Sequence, residues 1–350
     1  MNLISKTSRA VALLLTLAAM PVFTGCSDSF IYDYEGDCDP KFRVKFAYDW
    51  NLKFADAFRN EVDHVTLNVI DPDGRIVYTH TESGEALAAD GYEVVLDEAV
   101  RPGTYRLHAW CGRGAEPGNT SFAVHEATQL TDLRCTLLPD AASRADVAGA
   151  EGTDVRRQLK HLYHGLTTEL EFPEDEGYHY YTVPLKKNTN SVKVVLQHLS
   201  GEPIDGNEFD FTIVAANARM DHDNTVLEAA PVTYHAWDIA NGSAVIDSEY
   251  SGPGTYSATV AEFTIARLIK GQDVRMEARR KSDGKLVFSV PMIDLALMVK
   301  GHANRPMDDQ EYLDRQDDYN FVFFLDEQYR WIDSYIYINS WKIVFQNTEI

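Results

Sequence analysis

The sequence predicts an all-β protein built from two tandem β-sandwich domains, and three observations support this fold class. Short segments of alternating apolar and polar residues recur along the chain and are separated by turn residues, which is the pattern of a sandwich. The chain of 350 residues is long enough for two domains that each bury a core. The second half of the chain also repeats the first half in outline.

Residues 1–25 have the features of a lipoprotein export signal. Lys6 and Arg9 give a cationic start, and residues 10–20 form an apolar run that is too short to span a bilayer. The junction Thr24-Gly25-Cys26 places small residues before a cysteine, as a lipoprotein peptidase requires. We therefore expect cleavage between Gly25 and Cys26, and attachment of fatty acids such as palmitate to Cys26.

The lipid at Cys26 is the expected membrane attachment, because several acyl chains hold a protein stably on a membrane. Ser27 follows Cys26, whereas the familiar signal for retention in the inner membrane is Asp, so we expect the outer membrane. Residues 26–37 would form a tether. Removal of Lys6 and Arg9 with the signal would move the formal net charge from -22 to -24. So acidic a chain is not expected to bind nucleic acid, or anionic lipid by charge.

The predicted N-terminal domain comprises residues 38–175. Its first strand covers residues 42–48, and a hairpin follows in which Asp71-Pro72-Asp73-Gly74 joins strands at 65–69 and 76–78. Further strands are predicted at residues 92–96, 105–109 and 129–138. The stretch 139–154 is rich in Ala, Asp and Gly and is predicted to be an exposed loop.

The predicted C-terminal domain comprises residues 176–350. Strands are expected at residues 192–196, 209–213, 259–265, 274–279, 286–290, 320–325 and 335–345. A second acidic turn is expected at Asp221-His222-Asp223-Asn224. Only residues 307–316 have a clear helical pattern, with Pro306 at the start and acidic residues in the first turn.

Cysteine pairing is left open by the sequence. Apart from Cys26, the chain contains Cys38, Cys111 and Cys135, which allow one disulfide and one free thiol in an oxidising compartment. Cys111 and Cys135 both fall in strand-like runs of the first domain, so we favour this pair. Cys38 would then be free.

The sequence lacks recognisable catalytic motifs, and we expect neither an enzyme nor a bound cofactor. There is no nucleophile elbow, zinc-protease motif, phosphate-binding loop or dinucleotide fingerprint. His161 and His164 lie three residues apart, but no acidic or Cys ligand accompanies them at a metal-site spacing, which favours packing or hydrogen bonding. The two acidic turns lack the later Glu of a calcium loop and are expected to be plain turns.

Several motifs resemble those of the fimbrillin-associated anchor proteins of Bacteroidales-type (type V) fimbriae. Besides the N-terminal cysteine they are Phe46-Ala47-Tyr48, residues 65–71 with the turn Asp71-Pro72-Asp73-Gly74, Gly103-Thr104-Tyr105 with Ala109-Trp110, Leu162-Tyr163-His164-Gly165, Lys187-Asn188-Thr189-Asn190, Phe263-Thr264-Ile265-Ala266-Arg267-Leu268, Gln310-Glu311-Tyr312-Leu313-Asp314-Arg315 and Ile336-Tyr337-Ile338-Asn339-Ser340-Trp341. The resemblance covers nearly the whole mature chain in order.

This resemblance implies two transthyretin-like sandwiches and a lipidated subunit at the base of a fimbria. Such a subunit would hold the polymer to the outer membrane through contacts with shaft or accessory subunits. The resemblance also suggests that it limits fimbrial length. The motif residues have structural interpretations too. Trp110 and Trp341 are expected in the core, and Gly165 and Asn190 are expected to set turns.

Two other functions are kept as alternatives. A shaft or tip subunit of the same fold is one. A surface adhesin or glycan-binding lipoprotein is the other, because the run Tyr178, His179, Tyr180 and Tyr181 would supply an exposed aromatic platform. Co-purification of a fimbrial polymer with the lipidated protein would separate the anchor from the adhesin.

The last strand region is the candidate contact with the polymer, because an all-β subunit joins another economically at a sheet edge. A plain C-terminal core strand is the competing interpretation. The apolar pattern changes phase at Asn339-Ser340, which predicts a bulge or tight turn that keeps both apolar sets on one core face. The candidate residues are Tyr335, Ile336, Tyr337, Ile338, Trp341, Ile343 and Phe345.

Overall fold

The computed structural model describes residues 39–96, 99–112, 121–140, 153–248, 252–300, 304, 306–338 and 341–344. In chain order the strands are β1 (Pro40–Ala47), β2 (His64–Ile70), β3 (Ile76–Ser83), β4 (Val94–Val95), β5 (Gly103–Gly112), β6 (Phe122–Val124), β7 (Arg134–Leu137), β8 (Thr153–Val155), β9 (Leu162–Leu166), β10 (Leu170–Phe172), β11 (Gly177–Pro184), β12 (Lys186–Lys187), β13 (Thr189–His198), β14 (Phe209–Ala215), β15 (Arg219–Asp221), β16 (Val232–His235), β17 (Asp238–Ser248), β18 (Gly252–Ala266), β19 (Arg275–Arg280), β20 (Leu286–Pro291), β21 (Asp318–Leu325), β22 (Trp331–Ile338) and β23 (Trp341–Val344).

The first sandwich packs a three-stranded sheet on a six-stranded sheet. The small sheet has the order β11-β1-β4, and the large one has the order β12-β9-β5-β2-β3 with β10 added to β5. Alternate residues of the central strands point into a shared apolar core, as Phe42 and Val44 do from β1 and Leu67 does from β2. The predicted hairpin forms between β2 and β3, and the amide of Gly74 donates to the carbonyl of Asp71 in its turn.

The second sandwich packs two larger sheets around the main apolar core. Their strand orders are β17-β18-β13-β21-β22-β23 and β20-β19-β14-β16-β8. Strand β14 shows why these sheets face each other, because Phe209, Phe211 and Ile213 are buried and alternate with less buried residues. The all-β fold class is therefore confirmed.

Within the described residues, three α-helices accompany the strands: α1 (Phe58–Glu61), α2 (Met292–Met298) and α3 (Asp309–Arg315). Helix α3 confirms the predicted helix at 307–316, and Asp308 caps it by accepting a hydrogen bond from the amide of Gln310 at 2.8 Å. Helix α2 was not predicted. It begins directly after β20 without a side-chain cap, although Pro291 precedes it and Asp294 lies in its first turn.

The strand pairing differs from the predicted division at residue 175. Strands β11 and β12 follow that position, yet they complete the two sheets of the first sandwich. The predicted strand at 129–138 is shorter, as β7, and forms a separate three-stranded sheet with β6 and β15. Strand β8 pairs with β16 of the second sandwich. The apolar residues of β7 and β8 belong to the second core, which explains their placement.

Candidate functional site

The predicted lipid site, Gly25 and Cys26, lies outside the described residues, as do the tether and Cys38. The chain enters the described structure just before β1. This strand is central in its sheet and pairs in parallel with β11 over eight residues, from Pro40 opposite Gly177 to Ala47 opposite Pro184. The tether would therefore lead into a strand that is held on both sides.

The candidate assembly residues fall on two strands rather than one. Tyr335, Ile336, Tyr337 and Ile338 lie on β22, Trp341 and Ile343 lie on β23, and Phe345 lies outside the described residues. Strand β23 pairs only with β22 within the described ranges, and it forms one edge of the six-stranded sheet. An exposed edge of this kind offers backbone groups to a further strand.

The two apolar sets that differ in phase lie on two paired strands. Ile338 pairs with Trp341 and Ile336 pairs with Ile343 in antiparallel register. Directly opposed residues share a sheet face, and Ile336 also lies opposite the buried Phe321. The predicted bulge or tight turn at Asn339-Ser340 lies outside the described residues and stays a prediction.

The favoured disulfide between Cys111 and Cys135 is wrong, because both residues are free thiols. Cys111 on β5 belongs to the core of the first sandwich, whereas Cys135 on β7 belongs to the core of the second. The pairing assumed that both strands share one domain. Burial raises the pKa of each thiol far above its usual range, so neither is a reactive thiolate at neutral pH.

A cluster of polar side chains, here called the junction cluster, connects the two sandwiches. It consists of Tyr48, Glu61, Tyr163, Lys187 and Asp317. The Tyr48 hydroxyl donates to the carboxylate of Asp317 at 2.8 Å, and the Tyr163 hydroxyl donates to Glu61 at 2.9 Å. The Lys187 ammonium lies 3.6 Å from Glu61 and 3.8 Å from Asp317.

Electrostatics in the junction cluster favour a charged Glu61. A hydrogen bond with His161 and the nearby Lys187 ammonium lower the pKa of Glu61 to about 2, although burial acts in the opposite direction. Burial raises the pKa of Asp317, and Lys187 only partly offsets that effect. Asp317 is the member from the second sandwich, so its desolvation is the cost of closing this contact.

A buried ion pair lies beside the junction cluster. Arg267, just after β18, donates two parallel hydrogen bonds to Asp314 on α3, with Nε to Oδ1 at 2.8 Å and Nη2 to Oδ2 at 2.7 Å. The Asp314 side chain is 2% exposed and also lies 3.7 Å from the ammonium of Lys186 on β12. Such bidentate geometry is among the strongest that a carboxylate makes. Asp314 therefore connects elements of both sandwiches.

Hydrogen bonds between amides and a histidine complete the contact between the sandwiches. Asn188 and Asn224 exchange side-chain hydrogen bonds at 2.6 and 3.1 Å. His164 on β9 bonds to the carbonyl of His222 through Nε2 at 2.7 Å. Burial lowers the pKa of His164 to about 4, so the ring is neutral at pH 7 and its Nε2–H is the donor. The expectation of a hydrogen-bonding rather than metal-binding His164 agrees with this contact.

Two of the motif residues have a different role from the predicted one. Gly165 and Asn190 lie within β9 and β13 and do not set turns. Gly165 is required by close packing, since a Cβ atom there would lie 2.5 Å from the Val183 side chain and 2.8 Å from the Pro184 carbonyl. Trp110 is buried as predicted. The side chain of Trp341 is not described.

Most of the quoted motifs meet at this contact between the sandwiches. They supply Tyr48, Tyr163, Lys187, Arg267 and Asp314. Sequence reasoning did not single out Glu61 or Asp317. No local pattern marks either residue, because each acquires its partners only through tertiary folding.

The tyrosine run divides between two faces of β11. Tyr178 and Tyr180 are exposed, whereas Tyr181 stacks on buried Phe172 with ring centroids 4.1 Å apart. His179 lies 5.8 Å from the ring of Phe42. The aromatic surface is therefore made by two tyrosines rather than by the whole run.

Among the described residues, no group of three or more His, Cys, Asp or Glu side chains is arranged to hold a metal ion. No helix within those same ranges has the length and apolar character needed to cross a membrane.

Known structures share this fold along nearly their whole length. A candidate adhesin from Bacteroides thetaiotaomicron is 32% identical with a TM-score of 0.76, and the match covers 89% of this chain and 100% of that one. A candidate polysaccharide-binding protein from the same species is 26% identical with a TM-score of 0.72, covering 88% and 99%. Comparison with curated proteins gives no match.

A third solved structure is the fimbrial anchor protein Mfa2 from Porphyromonas gingivalis. Its TM-score is 0.60 over 88% of this chain and 99% of that one, and at 16% identity it supports the fold alone. The family profile described as fimbrillin-A associated anchor proteins Mfa1 and Mfa2 matches residues 34–347. Because that match spans nearly the whole chain, the protein belongs to the family of fimbrillin-A associated anchor proteins.

Proposed function

We propose that this protein is a lipid-anchored subunit that attaches a fimbria to the outer membrane. The observation that carries the proposal is the family match over residues 34–347, which begins shortly after the candidate lipidation site at Cys26. The export signal and its Thr24-Gly25-Cys26 junction supply the membrane end. The anchor would then act as a mechanical link between lipid and polymer.

The membrane end is suited to bearing load. Force on the tether would be applied to β1, which pairs in parallel with β11 at eight residue positions. Force applied along this strand loads the pairs together in shear rather than opening them one at a time. Strand β1 also lies between β11 and the short strand β4, which pairs with it at Arg43 and Val44.

The junction cluster and the ion pair of Arg267 with Asp314 would carry the same load to the second sandwich. In addition, the guanidinium of Arg315 lies 3.8 Å from the ring centroid of Trp50, and its Nη1 donates to the carbonyl of Asp49 at 3.2 Å. These contacts join α3 to the loop after β1. They would oppose hinge motion between the sandwiches.

The polymer end is assigned to the β22–β23 edge. A fimbrial subunit would add a strand beside β23, since this edge is free within the described ranges and backbone pairing is the simplest contact between two all-β subunits. A subunit that is fixed to the membrane and occupies the terminal edge of the polymer would also prevent further growth at that end. This would limit fimbrial length.

Substitution of Tyr335 and Tyr337 by Ser tests the polymer contact. Register places these two residues on the sheet face opposite to Ile336 and Ile338. We expect cells with the double variant to shed fimbriae while the purified protein keeps its thermal stability. The matched control is Tyr178→Ser with Tyr180→Ser on the first sandwich, which should retain fimbriae. Normal stability with normal retention in the Tyr335 and Tyr337 variant would contradict the assignment.

A pull-down separates the anchor from its alternatives. The anchor should bring down fimbrial polymer, and immunogold labelling should place it at the membrane end only. Labelling along the polymer would indicate a shaft subunit, and labelling at the distal end would indicate a tip subunit. An adhesin that is separate from fimbriae would bring down no polymer.

A further inference from the structure

The outward face of the sheet β11-β1-β4 carries two exposed tyrosines. Tyr178 is 63% exposed and Tyr180 is 55% exposed, although both lie on a regular strand. Their ring centroids are 6.4 Å apart and the ring planes differ by 21°. The two rings are therefore nearly parallel neighbours, and together they are here called the tyrosine platform.

Cations from β1 hold the tyrosine platform in position. The guanidinium carbon of Arg43 lies 5.2 Å from the ring centroid of Tyr178, and Nζ of Lys45 lies 4.5 Å from that of Tyr180. The Arg43 side chain is only 11% exposed and pairs with Glu93 at 3.2 Å. Each ring therefore has a cation close to it, and both side chains nevertheless keep more than half of their surface exposed.

The core below β11 fixes the strand that carries the tyrosine platform. On the other face of the strand, Tyr181 stacks on Phe172 and its hydroxyl donates to the carbonyl of Glu171 at 2.7 Å. Strand β11 is also paired along all eight of its residues with β1. Little conformational entropy would then be lost when a ligand stacks on the rings.

We propose that the tyrosine platform binds a neutral oligosaccharide, with two successive pyranose rings stacked on Tyr178 and Tyr180. The C–H face of a pyranose is apolar and weakly positive, which suits the negative face of an aromatic ring. The separation of the two rings is comparable with that of neighbouring sugars in a chain. Lys45, Glu93 and exposed Thr182 lie beside the rings and would bond to sugar hydroxyls.

Charge decides between neutral and acidic glycans. Glu93 offsets one of the two positive charges of Arg43 and Lys45, and three further acidic residues, Glu174, Asp175 and Glu176, are exposed directly before β11. The formal net charge of the chain is -22. An anionic polysaccharide would therefore be repelled. This activity goes beyond attachment of a fimbria, and it does not depend on the polymer contact at β23.

The test uses the purified lipoprotein in a detergent without a sugar headgroup. The probes are short neutral gluco-, manno-, galacto- and xylo-oligosaccharides, and binding is followed by saturation-transfer NMR and calorimetry. We expect saturable binding to at least one series, weakened roughly tenfold by Tyr178→Ala or by Tyr180→Ala. The Tyr→Phe variants should retain most of the affinity, because they keep the stacking surface.

Phe54→Ala is the matched control. Phe54 is also 63% exposed and lies 5.1 Å from a guanidinium carbon, that of Arg315, but its ring is not part of the tyrosine platform. This variant should bind as the wild type does. The proposal is overturned if no series binds, if the double Tyr→Ala variant binds normally while folded, or if acidic polysaccharides bind better and are displaced by salt.

Discussion

At the scale of single residues, we expect the largest loss of stability when the buried pair of Arg267 with Asp314 is broken. Asp314→Ala would leave a buried guanidinium without its carboxylate, which costs about 3–5 kcal/mol of unfolding free energy. Chemical denaturation measures this loss. The control is Asp283→Ala, which removes the exposed partner of Arg280 and should cost far less. Equal losses in the two variants would show that the buried pair has no special role.

Glu61 predicts a dependence of stability on pH. Its folded pKa is about 2 against 4.5 for the free side chain, so its contribution is fully present above pH 4.5 and is lost as the pH falls toward 2. The difference in unfolding free energy between wild type and Glu61→Gln should shrink over that interval. A difference that is constant between pH 6 and pH 2 would contradict the role of His161 and Lys187. The control Glu174→Gln changes an exposed side chain and should have little effect at any pH.

The positions of some residues could be predicted from the sequence, and those of others could not. Trp110 was correctly placed in the core because a large apolar side chain in a strand has few alternatives. Glu61 and Asp317 could not be found, since their partner Lys187 is distant from both in sequence. The predicted disulfide between Cys111 and Cys135 was wrong for a related reason. Spacing along the chain does not reveal which of two cores a strand joins.

At the scale of elements, the close contact of β9 with β11 depends on Gly165. Gly165→Ala would push a Cβ atom against the Val183 side chain and the Pro184 carbonyl, and such overpacking costs about 1–3 kcal/mol. Thermal denaturation measures the loss. The control is Gly242→Ala on β17, where nothing lies within 4 Å of the added Cβ. If Gly165→Ala is as stable as this control, then β9 can move away and the close contact is not needed.

Element prediction succeeded where a local pattern was decisive. The change of phase at residues 339–340 predicted a bulge or tight turn at a position outside the described residues, and the two apolar sets on either side of it lie on the antiparallel pair β22 and β23. The capping pattern predicted α3. Helix α2 was missed because its apolar run continues that of β20, and Pro291 and Asp294 at its start are weak signals without a side-chain cap. The join at 175 was misplaced because β11 returns to pair in parallel with β1, a partner that is distant in sequence.

At the scale of the whole molecule, the proposed anchor forms a continuous link from lipid to polymer. The tether would enter at β1, polar contacts join the two sandwiches, and the β22–β23 edge would hold the fimbria. The all-β fold could be predicted from sequence because the alternation of apolar residues is enough to identify strands that bury a core. The contacts that would carry load could not be predicted, because they depend on pairings between strands that are far apart in the chain.

Fractionation of cells that express Cys26→Ala tests the central claim most directly. Cys26→Ala removes the residue that is proposed to carry the lipid. Cys38→Ala is the control, because it leaves Cys26 and its lipid in place. Inner membrane, outer membrane and medium are separated, and both the protein and the fimbriae are detected in each. The account predicts that Cys26→Ala leaves the outer-membrane fraction and that fimbriae appear in the medium. Protein and fimbriae that remain with the outer membrane in this variant would contradict it.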